Sequence, residues 1–351
     1  MHPMVDKVYR IRMVLSLRNM EMCPFGRDSI LSLKIIIKSS PSLTFSPPGT
    51  RDQHSHTVSK ITAMPLKYVP ASRLFMSEPP PSWLGNPPNE LQNPRWDNAT
   101  SQNWLKSRFH FSFAEYSSRL SSNFGVLRVM NDDFVQPDCG FDTHGHANME
   151  IITHIVQGKL THKDYMGMEE TLGRGSVQYM TAGLGVHHSD FNLETELGLR
   201  FIETWIVPRS PNLEPTYGSF DPDGVKISNE SMCTARNQWR HLVYVTQDTS
   251  SDTPVRIEHD ANLFVSEMDG EQSLDQERSH GVCLCVEGLV KLTTDSGDEV
   301  IMQRHDGCEV KPGGGSNNNI TLTFNAIGSE VVEGADLFEM AHVIGSGRMD
   351  L

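Results

Sequence analysis

The sequence predicts an all-β protein built as two stacked β-barrels with few short helices. Three observations predict it. Beyond about Trp104, short apolar runs of strand length recur, separated by Gly, Asp and Asn. Helical periodicity is scarce throughout. The pattern strand, Glu or Gln, Gly, strand occurs twice, around Ile151–Gly158 and around Cys283–Gly288, which suggests a repeated unit.

Residues 1–95 carry no sustained period and are expected to be an irregular N-terminal extension. Residues 1–70 hold ten Lys/Arg against four Asp/Glu. A targeting segment within residues 1–40 is one reading of that basic front end, although Asp6, Glu21 and Asp28 speak against it. Residues 40–103 are rich in Pro, Ser and Asn, as in Pro79-Pro80-Pro81 and Gly85-Asn86-Pro87-Pro88, and read as linker and covering structure. The first barrel is expected over 96–225, with strands such as Phe124–Met130, Met149–Val156, Ser176–Met180 and Arg200–Val207. A short helix near Phe113–Leu120 is the helical candidate. The second barrel is expected over 226–345, with strands such as His241–Thr246, Leu263–Glu267, Val282–Leu292 and Ile320–Phe324. Gly158 and Asp295-Ser296-Gly297-Asp298 mark hairpin turns.

Composition narrows the function classes. Hydrophobic residues at 37% and charged residues at 21% are those of a globular chain with a real core. No run approaches the roughly 20 apolar residues of a bilayer-spanning helix, so no membrane partner is expected. Past residue 70 there are twenty Lys/Arg against forty Asp/Glu. A body this acidic repels phosphate backbones, so no direct nucleic-acid partner is expected. The six cysteines are scattered and imply a reducing compartment, cytoplasmic or nuclear. Cys283 and Cys285 share a strand face and are expected to be small buried residues.

The histidines concentrate the chemistry. Six of fifteen fall between 144 and 188. On a strand, His144 and His146 project to one face, and Glu150 has the same parity. His188 and Asp190 share a face in the same way. Three imidazoles and a carboxylate suit Fe(II), Mn(II), Ni(II), Cu(II) or Zn(II), whereas calcium and magnesium call for oxygen ligands. His54-Ser55-His56 repeats the HxH spacing within the Pro/Ser-rich stretch and is expected to be coincidental. His154 and His162 are expected to be strand-face or supporting residues.

These segments resemble the pirin family of cupin proteins from Trp104 to about Met340. The resemblance is carried by Arg108–Tyr116, Phe124–Asp133, Gly140–Gly158, His162-Lys163-Asp164, Gly175–Asn192 and Trp205–Pro208. It implies two cupin (jelly-roll) barrels with one metal, usually iron as Fe(2+), in the first and none in the second. The ligands it carries over are His144, His146, His188 and Asp190. Asp190 departs from the family, which has Glu there. Glu150 stands where other cupins have a ligand carboxylate and ranks second. Asp190 and Glu150 are the catalytic candidates to accept a substrate proton, and His187 is a third ligand candidate. Gly145 and Ala147 stand where the family often has Pro and Arg. The resemblance implies an iron-dependent dioxygenase of the quercetin 2,3-dioxygenase type, taking O2 and a small aromatic chelating substrate such as a flavonol. A different class remains open: an iron-binding, redox-sensitive transcription cofactor acting through a protein partner such as a transcription regulator. A sugar- or storage-type cupin without chemistry is a third. A monomer is expected.

Overall fold

The structure, a computed structural model, describes residues 65–86, 104–222, 236–245, 255–270, 272–278, 280–311, 320–328 and 341–346, all within one compact unit, Lys60–Leu351. The expected targeting segment and the His54-Ser55-His56 triplet lie outside the described residues.

Four sheets make up the fold. A seven-stranded sheet runs β12 (Thr216–Phe220), β9 (Val177–Thr181), β6 (Glu150–Gln157), β11 (Leu199–Ile206), β4 (Leu127–Val135), β3 (Leu105–Phe109), β2 (Phe75–Ser77). Its four-stranded companion runs β5 (Cys139–His146), β10 (Val186–Asn192), β7 (Leu160–Asp164), β8 (Glu169–Leu172). A second seven-stranded sheet runs β1 (Leu66–Val69), β20 (Gly307–Val310), β17 (Gly281–Cys285), β22 (Ala341–Ser346), β15 (Leu263–Met268), β13 (Arg240–Val245), β14 (Val255–Ile257). A second four-stranded sheet runs β16 (Ser273–Arg278), β21 (Ile320–Gly328), β18 (Leu289–Thr294), β19 (Glu299–Gln303).

The two four-stranded sheets have one strand order, displaced by eleven strands along the chain. So do the central strands β9-β6-β11-β4 and β20-β17-β22-β15. The weak repeat in the sequence is therefore a repeat of topology, with β6 answering to β17. The chain is all-β, but each half is a pair of sheets rather than one closed barrel. No helix of the described residues is long and apolar enough to cross a membrane.

Burial explains the strand patterns. β6 is buried from Glu150 to Val156 because both of its faces are covered, and such strands read as near-continuous apolar runs. Its Ile152 and Val156 join a core shared with Leu242, Val255 and Leu284 of the other half. Ile155 faces the opposite way, into a core with Trp104, Leu160 and Phe201. Cys283, Cys285 and Cys308 are buried cysteines outside any disulfide, in a third core. Burial pushes the Cys308 thiol up to about 12.

A buried ionic cluster ties the halves together. The Arg200 guanidinium donates from Nε and Nη2 to Asp132 at 2.8 and 2.7 Å, and from Nη2 to the Val286 carbonyl at 2.9 Å. Glu287 takes its Nη1, and the His305 ring lies 2.5 Å from Asp132.

Two expectations are corrected. The extension expected to be irregular over 1–95 contains β1 and β2, one in each seven-stranded sheet. Four and three residues are too short to show a period, and their partners are distant: Lys67 meets Glu309, and the Tyr68 hydroxyl donates to Asp306 at 2.6 Å. The helix expected near Phe113–Leu120 is a tight turn, in which Phe113 and Tyr116 exchange backbone hydrogen bonds of 3.0 and 2.8 Å. Ala114 takes φ +46° there, which a right-handed helix does not allow.

Candidate metal centre

β5 and β10 pair antiparallel, with His144 opposite His188 and His146 opposite Val186. Directly opposed residues project to one face, so the register brings the HxH pair and His188 together. Ring centroids lie 4.7 Å apart for His144 and His146, 4.4 Å for His144 and His188, and 5.0 Å for His146 and His188. One ring nitrogen from each falls within 4.8 Å of the other two. His144 Nδ1 lies 2.8 Å from the Asp142 carbonyl, which leaves Nε2 as its outward atom. His188 is buried, and its Nε2 has no hydrogen-bond partner.

Between His188 and Asp190 the register with β5 shifts, the additional residue lying on β5. Against β7 the register is unbroken, with His188 opposite Asp164 and Asp190 opposite His162. Asp190 Oδ1 lies 2.9 Å from His162 Nδ1, and Oδ2 lies 3.1 Å from His188 Nδ1. His162, His188 and Asp190 thus form a second group of close donor atoms, beside the three-histidine group. The His162 ring stacks on Tyr217 at 4.3 Å, and its Nε2 lies 3.6 Å from Asp164 Oδ2.

The electrostatics favour neutral imidazoles on the three-histidine face. Burial, and then the neighbouring rings, hold His146 down to about 3. Burial and His188 lower His144 in the same direction. Burial also works against a charged His188, but Asp190 overcomes it and raises that ring. Burial alone would raise Asp190, yet His188 and His162 hold it well below the usual carboxylate range.

The remaining sequence candidates fall elsewhere. Glu150 is fully buried at the start of β6, in the seven-stranded sheet. Its Oε2 accepts from the Thr181 hydroxyl at 2.8 Å, and it belongs to neither group of close donors. Burial pushes it up to about 7. His154 is on β6 as well. His187 is exposed and turned toward Tyr165, with ring centroids 6.5 Å apart.

Sequence reasoning gave no role to Trp205, Glu203 or Tyr217. The Trp205 ring stands edge-on to His146 at 4.8 Å, and Phe113 packs on it at 5.1 Å. The Trp205 indole N–H donates to Glu203 at 2.5 Å. Burial raises the Glu203 carboxyl to about 7. The signal was present: Glu203 and Trp205 are two apart on a strand, and so share a face.

The donor set fits a transition ion on this structure's own terms. Three imidazoles converge, the buried one has an unpartnered nitrogen, and two of the three are held neutral, which is the ligating form.

Known proteins agree with the fold and the site's family. The Pirin family model matches residues 93–206. A Pseudomonas aeruginosa protein, provisionally named a quercetin 2,3-dioxygenase, is 33% identical over 178 residues, which is 51% of this chain and 72% of that protein. A pirin-like protein of Caulobacter vibrioides is 45% identical over 116 residues, 33% of this chain and 50% of the relative. The quercetin 2,3-dioxygenase of Escherichia coli is 40% identical over 114 residues, 32% of this chain and 49% of that enzyme. The match thus spans about half the length of the last two. Among solved structures, the bacterial pirin YhhW of Escherichia coli in complex with nickel(II) has a TM-score of 0.59 at 20% identity, over 81% of this chain and all of that one. That likeness shows the fold.

Proposed function

Because this chain belongs to the pirin family, we propose that it is a metal-dependent cupin dioxygenase of the quercetin 2,3-dioxygenase type. Its ion is held by His144, His146 and His188 in the unit spanning 96–225. The observation that carries this is the convergence of three ring nitrogens within 4.8 Å, one of them buried and unpartnered. The substrate class is a small aromatic chelator such as a flavonol, with O2 as co-substrate, and the ion is Fe(2+). Such an ion supplies Lewis acidity to vicinal oxygens.

The chain's own residues do the rest. The imidazoles present a fixed, neutral donor face. Trp205 and Phe113 offer an apolar wall beside His146, against which an aromatic ring can lie. Glu203, raised to about 7, stands beside that wall. A carboxyl titrating near neutrality suits the removal of a phenolic proton. This role passes to Glu203 from Glu150, which stands opposite Ile206 in the same sheet and so projects to the other face, beside Thr181.

The test is metal analysis of the purified protein joined to oxygen uptake with quercetin. About one equivalent of a first-row ion and quercetin-dependent uptake are expected, both lost in His188→Ala. Full metal content in His188→Ala would refute the site.

A second reading has one observation in its favour, the excess of twenty acidic over basic residues beyond residue 70. That body suits a basic protein partner of an iron-dependent regulator in the cytoplasm or nucleus. Bound metal without turnover of any flavonol, together with tight partner binding, would favour it.

A further inference from the structure

We propose that Asp190 is not a fourth ligand in this chain but the carboxylate that orients His188, latched in that position by His162, so that the ion rests on three imidazoles alone. The inference deepens the metal-binding reading above and rests on it. Both oxygens of Asp190 lie against ring nitrogens. Oδ1 lies 2.9 Å from His162 Nδ1, and Oδ2 lies 3.1 Å from His188 Nδ1. Direct ligation would draw the carboxylate off both rings. Metal-bound histidines commonly direct their second ring nitrogen to a carboxylate, which fixes the ring and raises its basicity. His188 is placed for that, with Nδ1 3.1 Å from Asp190 Oδ2, although neither of its ring nitrogens makes a hydrogen bond.

Three independent features hold the latch. Asp190 stands directly opposite His162 in the unbroken pairing of β10 with β7. The His162 ring is stacked on Tyr217 at 4.3 Å, and its Nε2, 3.6 Å from Asp164 Oδ2, makes no hydrogen bond. The aspartate arm is also one methylene shorter than a glutamate's. The resulting chain runs His162, Asp190, His188. Three neutral imidazoles would leave the ion accessible to a chelating substrate and would add no negative charge to it.

The test uses the full chain, stripped of metal and titrated with nickel(II) in a calorimeter. Asp190→Asn and His162→Ala are each expected to bind one ion with an affinity lowered about 10- to 100-fold, the size of effect typical of groups that orient a ligand. The double variant should fall little further, because the pair acts as one unit. His188→Ala should lose measurable binding. A readout on the wild type needs no variant: the copper(II) form, made with aspartate labelled with 13C at the side-chain carboxyl, should show three imidazole nitrogens and no strong 13C coupling in pulsed electron paramagnetic resonance. Strong 13C coupling, or loss of binding in Asp190→Asn as complete as in His188→Ala, would overturn the proposal while leaving the metal centre standing. A wild type that binds no ion would overturn both.

Discussion

Replacing Asn86 by Ala tests whether the Pro-rich segment ahead of the family match is a working part of the fold. The Asn86 side chain pairs with Gly140 as a neighbouring strand would. Its Nδ2 donates to the Gly140 carbonyl at 2.8 Å, and its Oδ1 accepts from the Gly140 amide at 2.8 Å. Gly140 belongs to β5, the edge strand that carries His144 and His146. Asn86 is 7% exposed, so water cannot take over these bonds without the segment lifting. Each bond is worth about 0.5–1.5 kcal/mol net, and alanine loses both, for a cost of about 1–3 kcal/mol. At about 2–4 °C per kcal/mol for chains of 150 residues or more, a central loss of about 2 kcal/mol lowers Tm by about 4–8 °C. Urea and thermal unfolding of metal-free protein, followed by circular dichroism, measure it. Trp83→Ala is the control, since Trp83 in the same segment is 62% exposed and should stay within about 0.5 kcal/mol of wild type. If Asn86→Ala is as stable as Trp83→Ala, the segment is not docked on β5 and the reasoning fails. The same logic makes deletion of residues 1–95 costly, because it removes β1, β2 and Asn86 together.

Other changes probe the interior. Arg200→Met leaves Asp132 buried without its cation, and should cost about 3–5 kcal/mol in urea unfolding; replacing both residues by apolar ones should recover much of that loss. Glu150 has an ordinary value of 4.5 and is pushed up to about 7 in the fold. A raised carboxyl contributes its stability fully below pH 4.5 and loses it as pH rises through 7. Glu150→Gln should therefore flatten the fall in stability between pH 5 and 8.5, by on the order of 3 kcal/mol, while keeping full metal content. A Glu150→Gln protein that parallels the wild-type pH profile, or that loses metal, would show that Glu150 is placed wrongly.

Much of this was legible in the sequence, for physical reasons. Strand length, alternation and turn residues announced β6, β11 and β17, because local pattern reflects which faces are covered. The HxH pair and His188 were legible because side-chain parity holds along a regular strand. His188 and Asp190 are two apart, and their donor atoms do come together, with Asp190 Oδ2 3.1 Å from His188 Nδ1. Parity along one strand could not show that His162 of β7 stands opposite Asp190 and takes its other oxygen. Glu150 matched His144 and His146 in parity but sits on β6, a strand of the other sheet. The chain turns between β5 and β6, so a parity count across that turn carries no spatial meaning. Contacts such as Lys67 with Glu309, or Arg200 with Val286 and His305, join residues whose separation in sequence leaves no local trace.

The departures beside the ligands show the same lesson in reverse. Gly145, where the family often has Pro, lies between His144 and His146, and His187 lies next to His188. In sequence all of these crowd the metal site. Alternation sends them the other way. Gly145 and His187 are directly opposed across β5 and β10, both on the exposed side. A Cβ at 145 would lie 3.1 Å from His187 Nε2, tighter than ordinary van der Waals contact, so the absent side chain makes room for the imidazole. Tyr165 closes over that ring and donates its hydroxyl to the Gly185 carbonyl at 3.3 Å. Residues 42 positions apart are thus neighbours in space, on the outer face of the four-stranded sheet, while the three imidazoles project from its other face. That is why Gly145 can stand directly beside the ligand candidates without entering their cluster.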